Sequence, residues 1–276
     1  MIRIELLYVW YAWTLAVLLV LAGEGVPGRW GWVAGHVLVV FPALALRRAP
    51  NWLRYAAACL FVPAAFSSLG ILIPDLVPEA MEWKVALADR ALGGEALRSR
   101  LSAPPPWLVE LCQVCYSTFY FLPLALALAF HARGRKDAIP RLAELVVGGF
   151  LLSYLGYLCC PTLPPYRFLE DPDPLVGGPL FGFLNRVLYE WEPLRQDCMP
   201  SGHTMITLCL WWAAWKTDPL QLLWLLPVGS FLILGTLVLR YHWGVDLLAG
   251  LAFAVLAILL FRGGASPSPG KGEAVA

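Results

Sequence analysis

Charge is what this chain lacks. Lys, Arg, Asp and Glu together make up only 14% of its 276 residues, against 59% apolar. A water-soluble domain of this length needs a far more heavily charged surface, so the composition excludes an ordinary soluble enzyme and makes the bilayer the solvent. The net charge is only +1, and no concentrated basic face is available to neutralise phosphates, which excludes a nucleic-acid partner. Histidine is scarce, with four residues. Seven cysteines occur, mostly in apolar runs; the one C-x2-C pair, Cys112 and Cys115, lies inside such a run, so no metal centre is expected there. No internal repeat is visible.

What is present is a series of apolar runs long enough to approach the thickness of a hydrocarbon core. Eight are predicted: Glu5 to Leu21, Trp32 to Leu46, Trp52 to Ile73, Trp107 to Phe130, Leu142 to Cys160, His203 to Trp215, Leu220 to Leu239 and Trp243 to Phe261. Many begin or end in Trp or Tyr, as an interfacial aromatic belt requires. The first is too long and too aromatic for a cleaved leader and is expected to stay as a helix. The sixth is short, bounded by Pro200 and Lys216. Residues 1–73 are thus expected to be N-terminal membrane helices, 74–106 an amphipathic interfacial segment, 107–262 a second transmembrane bundle and 263–276 a disordered tail.

With eight crossings both termini share a side, and that side collects Arg3, Arg47, Arg48, Arg54, Arg133, Arg135, Lys136, Arg141, Lys216, Arg262 and Lys271. The positive-inside rule places it in the cytoplasm. Two long connections, Pro74 to Pro106 and Pro161 to Met199, then face outward. The first contains MEWKVALADRALGGEALRSRL, whose apolar residues recur at helical spacing and predict amphipathic helices on the membrane surface. The same topology brings three polar stretches to the outer face: CCPTLPPYR (159–167), CMPSGHT (198–204) and RYHWGVD (240–246).

These stretches hold two of the four histidines. His242 and Asp246 are four apart and share a face if the eighth helix begins at His242; the carboxylate then fixes the imidazole tautomer and leaves the other nitrogen as a nucleophile. Ser201 and Gly202 open a helix whose unpaired N–H groups suit an oxyanion. His203, protonated, can give a proton to a departing oxygen, and Arg240 and Arg167 can hold phosphate oxygens. Taken singly, a Ser-Gly cap, a His-Asp pair and an interfacial His each have ordinary structural explanations; together on one face they point to phosphoryl chemistry.

PSGHT at Pro200 to Thr204, followed by HWGVDLLAG at His242 to Gly250, resembles the second and third motifs of the type 2 phosphatidic acid phosphatase superfamily of membrane phosphoesterases. The resemblance implies an all-α integral membrane protein of about eight transmembrane helices around a six-helix core, and a metal-independent, cofactor-free reaction. By it His242 attacks phosphorus, Asp246 orients His242, His203 protonates the leaving group, and Ser201, Gly202 and nearby Arg hold the phosphoryl oxygens.

Two departures qualify it. The first motif, a Lys followed after six residues by Arg-Pro, is absent, and the usual Arg six before the third-motif His is replaced by Thr236. PTLPPYR (Pro161 to Arg167), LADRALGGEALRSRL and CYSTFYFLP (Cys115 to Pro123) resemble instead the branch of inositol phosphorylceramide synthases and related transferases. Arg167 is the leading substitute for the missing basic residues, with Tyr166 at its side and Arg195 a weaker candidate. Expected partners are a phospholipid or lipid phosphate and, for a transferase, a hydroxyl-bearing acceptor. The alternatives are head-group transfer of the inositol phosphorylceramide or sphingomyelin synthase type and a non-catalytic transporter or scaffold. Cys198 can pair with Cys159 or Cys160 across the outer loop, or stay a thiol.

Overall fold

The computed structural model describes residues 4–77, 81–169, 174–191 and 196–261, all helix and connection without a named strand. The expected disordered tail, Arg195 and the acidic residues Glu170, Asp171 and Asp173 lie outside them. The helices are α1 (Ile4–Ala22), α2 (Arg29–Leu38), α3 (Val40–Leu46), α4 (Asn51–Leu76), α5 (Glu82–Ala91), α6 (Gly94–Arg100) and α7 (Pro106–Ser117). There follow α8 (Leu122–Ala132), α9 (Ile139–Cys159), α10 (Pro165–Phe168), α11 (Pro179–Trp191), α12 (Gly202–Thr217), α13 (Leu222–Val238) and α14 (Gly244–Phe261).

The architecture is the all-α membrane bundle the composition calls for. Among the described residues six spans are long and apolar enough to cross a bilayer: α1, α2 with α3, α4, α9 and α13 each with its leading turn, and α14. Two of the eight predicted runs differ. The fourth is broken into α7 and α8 by a 66° bend. Ser117 Oγ donates to the Gln113 carbonyl and Thr118 Oγ1 to that of Cys115, and Pro123 in the first turn of α8 brings no N–H to continue the ladder. The sixth is α12, which at 16 residues is shorter than a usual span.

The two largest of four apolar clusters among the described residues hold the bundle. One joins α8, α9, α12, α13 and α14 around Leu126, Phe130, Met205, Ile206, Leu210, Leu225 and Ala257. The other seats α1 and α4 on α9 through Tyr8, Tyr11, Leu15, Leu69 and Tyr154. Lipid tails are as apolar as leucine, so close backbone approach matters more here than burial of apolar area. Gly250 is such a point: a Cβ there would lie 2.7 Å from the Ser201 carbonyl oxygen and 3.0 Å from Thr204 Cβ. Away from the site, Arg54 pairs with Glu5, and Arg133 with Asp218.

The end of α13 is built by its backbone. Arg240 N–H donates to the Leu237 carbonyl at 3.0 Å and Tyr241 N–H to that of Thr236 at 2.9 Å, the bonding pattern of a Schellman stop with its left-handed residue at Arg240, φ 61°. That conformation is usually glycine's. His242 N–H also donates to Thr236 O, at 3.0 Å, so the stop delivers the histidine at a defined place.

The connection 161–199, read from sequence as an outward-facing loop, contains α11. Its run PLFGFLNRVLYEW has apolar residues at helical spacing, and Glu110 on α7 accepts the N–H groups of Leu180 and Phe181 at its start, each at 2.9 Å.

Candidate active site

The three polar stretches meet at one end of the bundle and are sewn together by main-chain bonds. Thr162 N–H donates to Gln196 O at 3.2 Å, Tyr166 N–H to Arg240 O at 3.3 Å and Ser201 N–H to Asp246 O at 3.0 Å. The N-termini of α12 and α14 therefore lie side by side, with the positive ends of both helix dipoles at the same spot.

The geometry of His242 fixes its tautomer. Nδ1 lies 3.0 Å from the Cys198 carbonyl oxygen and 3.4 Å from Asp246 Oδ2. A carbonyl can only accept, so Nδ1 carries the hydrogen and Nε2 of the neutral ring holds a lone pair. That lone pair faces His203 Nδ1 at 3.4 Å. Asp246 Oδ2 also accepts the Trp243 N–H at 2.8 Å, which holds the carboxylate while it orients the imidazole. The helix carrying Asp246 begins at Gly244 and not at His242 as expected from sequence; the i,i+4 pair forms nonetheless, with His242 in the turn that leads into the helix.

His203 stands in the first turn of α12, its ring stacked on Tyr116 at 4.3 Å and tilted against Phe119 at 4.2 Å between centroids. Its Nε2 is buried with no hydrogen-bond partner, as is Oδ1 of Asp246. Of the two, His203 belongs to a residue that lines a cavity, where a bound group can meet its unmatched nitrogen.

That cavity has a volume of about 290 Å³ and is lined by His203, His242, Cys198, Asp197, Arg240, Tyr241, Tyr116, Tyr166 and, from α11, Phe181, Asn185 and Tyr189. Arg240 and Tyr166, both singled out from the sequence, thus line the cavity. Arg240 also reaches sideways, with Nη2 2.9 Å from the Ser102 carbonyl oxygen. Arg167 is not among the lining residues; its guanidinium lies 6.0 Å from the centre of the Tyr189 ring, which is. Ser201 does not face the cavity either: its Oγ accepts Thr204 N–H at 3.2 Å as the N-cap of α12, fully buried. Gly202 is buried against Tyr157, whose hydroxyl would meet an added Cβ at 2.6 Å.

Asp197, Tyr116, Tyr241 and α11 were not picked out from sequence. Asp197 adjoins CMPSGHT, and a reading extended by one residue would have included it. Burial pushes its carboxyl up to about 6, with His242 acting in the opposite direction.

Sγ of Cys198, the ring of His242 and the carboxylate of Asp246 form a compact donor set, all within 4.8 Å. Two of these groups are already engaged, the thiol donating to Tyr241 O at 3.3 Å and Nδ1 to the Cys198 carbonyl, while Asp246 Oδ1 has no partner. None of the seven cysteines is in a disulfide, so Cys198 serves as a thiol and, through its carbonyl, as a support of His242.

Compared with known families, the chain matches a model of the PAP2 superfamily over residues 83–260, more than half its length. No curated protein and no solved structure matches it.

Proposed function

The chain belongs to the PAP2 superfamily, and on that footing we propose that it is a membrane lipid phosphoesterase that cleaves or transfers a phosphate-bearing group through a phosphohistidine on His242. The observation that carries this reading is the Nδ1 contact with the Cys198 carbonyl, which leaves Nε2 as a lone pair at the cavity wall.

In the first half-reaction Nε2 attacks phosphorus, an N–P bond forms and the P–O bond to the lipid breaks. His203 gives a proton to the departing oxygen. Substrate binding must part the two rings, since 3.4 Å leaves no space for phosphorus between them. In the second half, water passes its proton to His203 and attacks phosphorus; the N–P bond breaks and phosphate leaves. Asp246 stabilises the imidazolium character of His242 throughout. Quenching the enzyme with lipid labelled at phosphorus is expected to trap an acid-labile, base-stable phosphoprotein. Label on the protein surviving in His242→Ala would place the intermediate elsewhere.

A hydroxyl in place of water makes the same machinery a head-group phosphotransferase, and the placement of Pro164 and Tyr166 of PTLPPYR in the cavity wall favours keeping this reading. Label that stays in free phosphate whatever alcohol is supplied counts against it.

Arg240 is the arginine lining the cavity among the described residues. Arg240→Gly suits the left-handed backbone at φ 61° and so separates the guanidinium from the turn. Folding is expected to hold, while kcat/KM falls by about 10- to 100-fold, the range for losing a charge-assisted hydrogen bond. Thermal unfolding beside kinetics checks both halves.

Asp197 sets a pH dependence. With its carboxyl held up to about 6, the residue is neutral below that pH and adds no repulsion to a bound phosphate; above it, an anion in the cavity meets an anionic wall. KM is expected to rise as pH climbs through 6, beyond any change from the substrate's own ionisation. Asp197→Asn should remove that excess, so coincident KM–pH curves for the two proteins would rule the effect out.

A further inference from the structure

The helix that carries Asp246 lacks a cap of its own. α14 starts at Gly244, and the preceding residue, Trp243, has no side-chain oxygen to accept the N–H groups of the first turn. Half of a capping box is local, with Asp246 Oδ2 accepting Trp243 N–H at 2.8 Å. The other half comes from far upstream: Asp89 Oδ1 on α5 accepts the Val245 N–H at 3.1 Å, across 156 residues of sequence. Asp89 is fully buried, and its second oxygen pairs with Arg98 on α6. The Arg98 guanidinium in turn lies 4.9 Å from the centre of the Trp243 ring. Space for this arrangement depends on Gly244, where a Cβ would stand 3.1 Å from Asp89 Oδ1. The same helix binds the PTLPPYR element, since Glu82 accepts Leu163 N–H at 3.0 Å and Leu163 O accepts Trp243 Nε1 at 3.0 Å.

We infer that Asp89 is a positioning residue for the nucleophile: it supplies in trans the missing cap of α14, and with Arg98 it locks the turn 243–246 that sets His242 against Asp246. The inference rests on the catalytic reading of His242. The chain of consequence is short. Asp246 Oδ2 is shared between Trp243 N–H and His242 Nδ1, so a shift in the first turn of α14 moves the carboxylate that fixes the imidazole. Arg240 and Tyr166 are held through other contacts, the Arg240 guanidinium by the Ser102 carbonyl and the Tyr166 N–H by the Arg240 carbonyl. Losing Asp89 should therefore weaken the chemical step and leave binding of the lipid nearly untouched. The interfacial segment α5–α6, which composition alone marks as an amphipathic connector, thereby becomes part of the site's framework.

The test compares the full chain in detergent as wild type, Asp89→Ala, Asp89→Asn, Gly244→Ala and His242→Ala. Turnover of dioctanoyl phosphatidic acid, thermal unfolding, and affinity for orthovanadate, a five-coordinate mimic of phosphoryl transfer, are measured on each. Asp89→Ala is expected to lower kcat by roughly 10- to 100-fold, as a small misplacement of a reacting group does, with KM within about two-fold. Orthovanadate affinity should weaken in parallel, a readout that needs no turnover. Asp89→Asn keeps an oxygen for the Val245 N–H and should recover most of the loss. Gly244→Ala, which presses on the carboxylate without removing it, should show the same kcat-selective defect and stands in if Asp89→Ala does not fold. A kcat and vanadate affinity unchanged in Asp89→Ala or its stand-in overturn the inference, as does a loss that Asp89→Asn fails to recover. Full activity and vanadate binding in His242→Ala would overturn the catalytic reading itself; an inactive His242→Ala beside a fully active Asp89→Ala removes only the positioning role.

Discussion

His242→Ala is expected to abolish turnover, with a loss of about 10⁴-fold or more, because the substitution deletes the atom that bonds to phosphorus and not merely a group that assists it. The ring is 4% exposed and its Nδ1 hydrogen is shared by the Cys198 carbonyl and Asp246, so truncation also leaves a buried carboxylate with one donor fewer. A destabilisation of about 1–3 kcal/mol follows from an unsatisfied buried acceptor, and it must be separated from the catalytic loss. His242→Gln serves that purpose: its amide can restore the donor but offers no nucleophilic lone pair. Thermal unfolding should move back toward wild type in the Gln variant while turnover stays absent. Activity within ten-fold of wild type in both variants, with a trapped phosphoprotein still forming, would remove His242 from the reaction and leave the motifs as scaffold.

The parts of this site that could be read from the sequence are those whose physics is local. Ser201 before an apolar run is a helix cap in the chain as in the fold, and the four-residue step from His242 to Asp246 survives although the helix starts two residues later than expected. The apolar runs were legible because a bilayer demands length. What sequence could not supply depends on distant partners or on backbone detail. Asp89 looks like one more charge on an amphipathic face, yet it caps a helix 156 residues away. Arg240 was singled out for its charge, while its left-handed backbone, which aims His242, leaves no mark in composition. Arg167 was the leading substitute because PTLPPYR resembles an element of the synthase branch; in the fold it lies near Tyr189 and not among the residues that line the cavity. Ser201 offered both a cap and a phosphate ligand on paper, and in the fold its oxygen is spent on Thr204.

A second large effect is expected at His203, and it should depend on the leaving group. His203 Nδ1 faces Nε2 of His242 at 3.4 Å, and the ring is packed against Tyr116 and Phe119, which keeps it beside the phosphoester once substrate has parted the two imidazoles. An alkoxide from a lipid glycerol is a poor leaving group and needs its proton as the bond breaks; a nitrophenolate does not. His203→Ala should therefore lower turnover of phosphatidic acid by about 10²- to 10⁴-fold, the usual worth of a general acid, and that of a nitrophenyl phosphate ester by much less. The second half-reaction sharpens the contrast. If dephosphorylation also needs His203 to take a proton from water, the variant fed the activated ester should release one burst of nitrophenol and then stall as phosphoenzyme, and an added small amine of suitable pKa should restart it. Equal losses on both esters, without a burst, would make His203 a packing residue of the aromatic wall and move the search for the acid to Asp197, a cavity-lining carboxyl that burial pushes up to about 6.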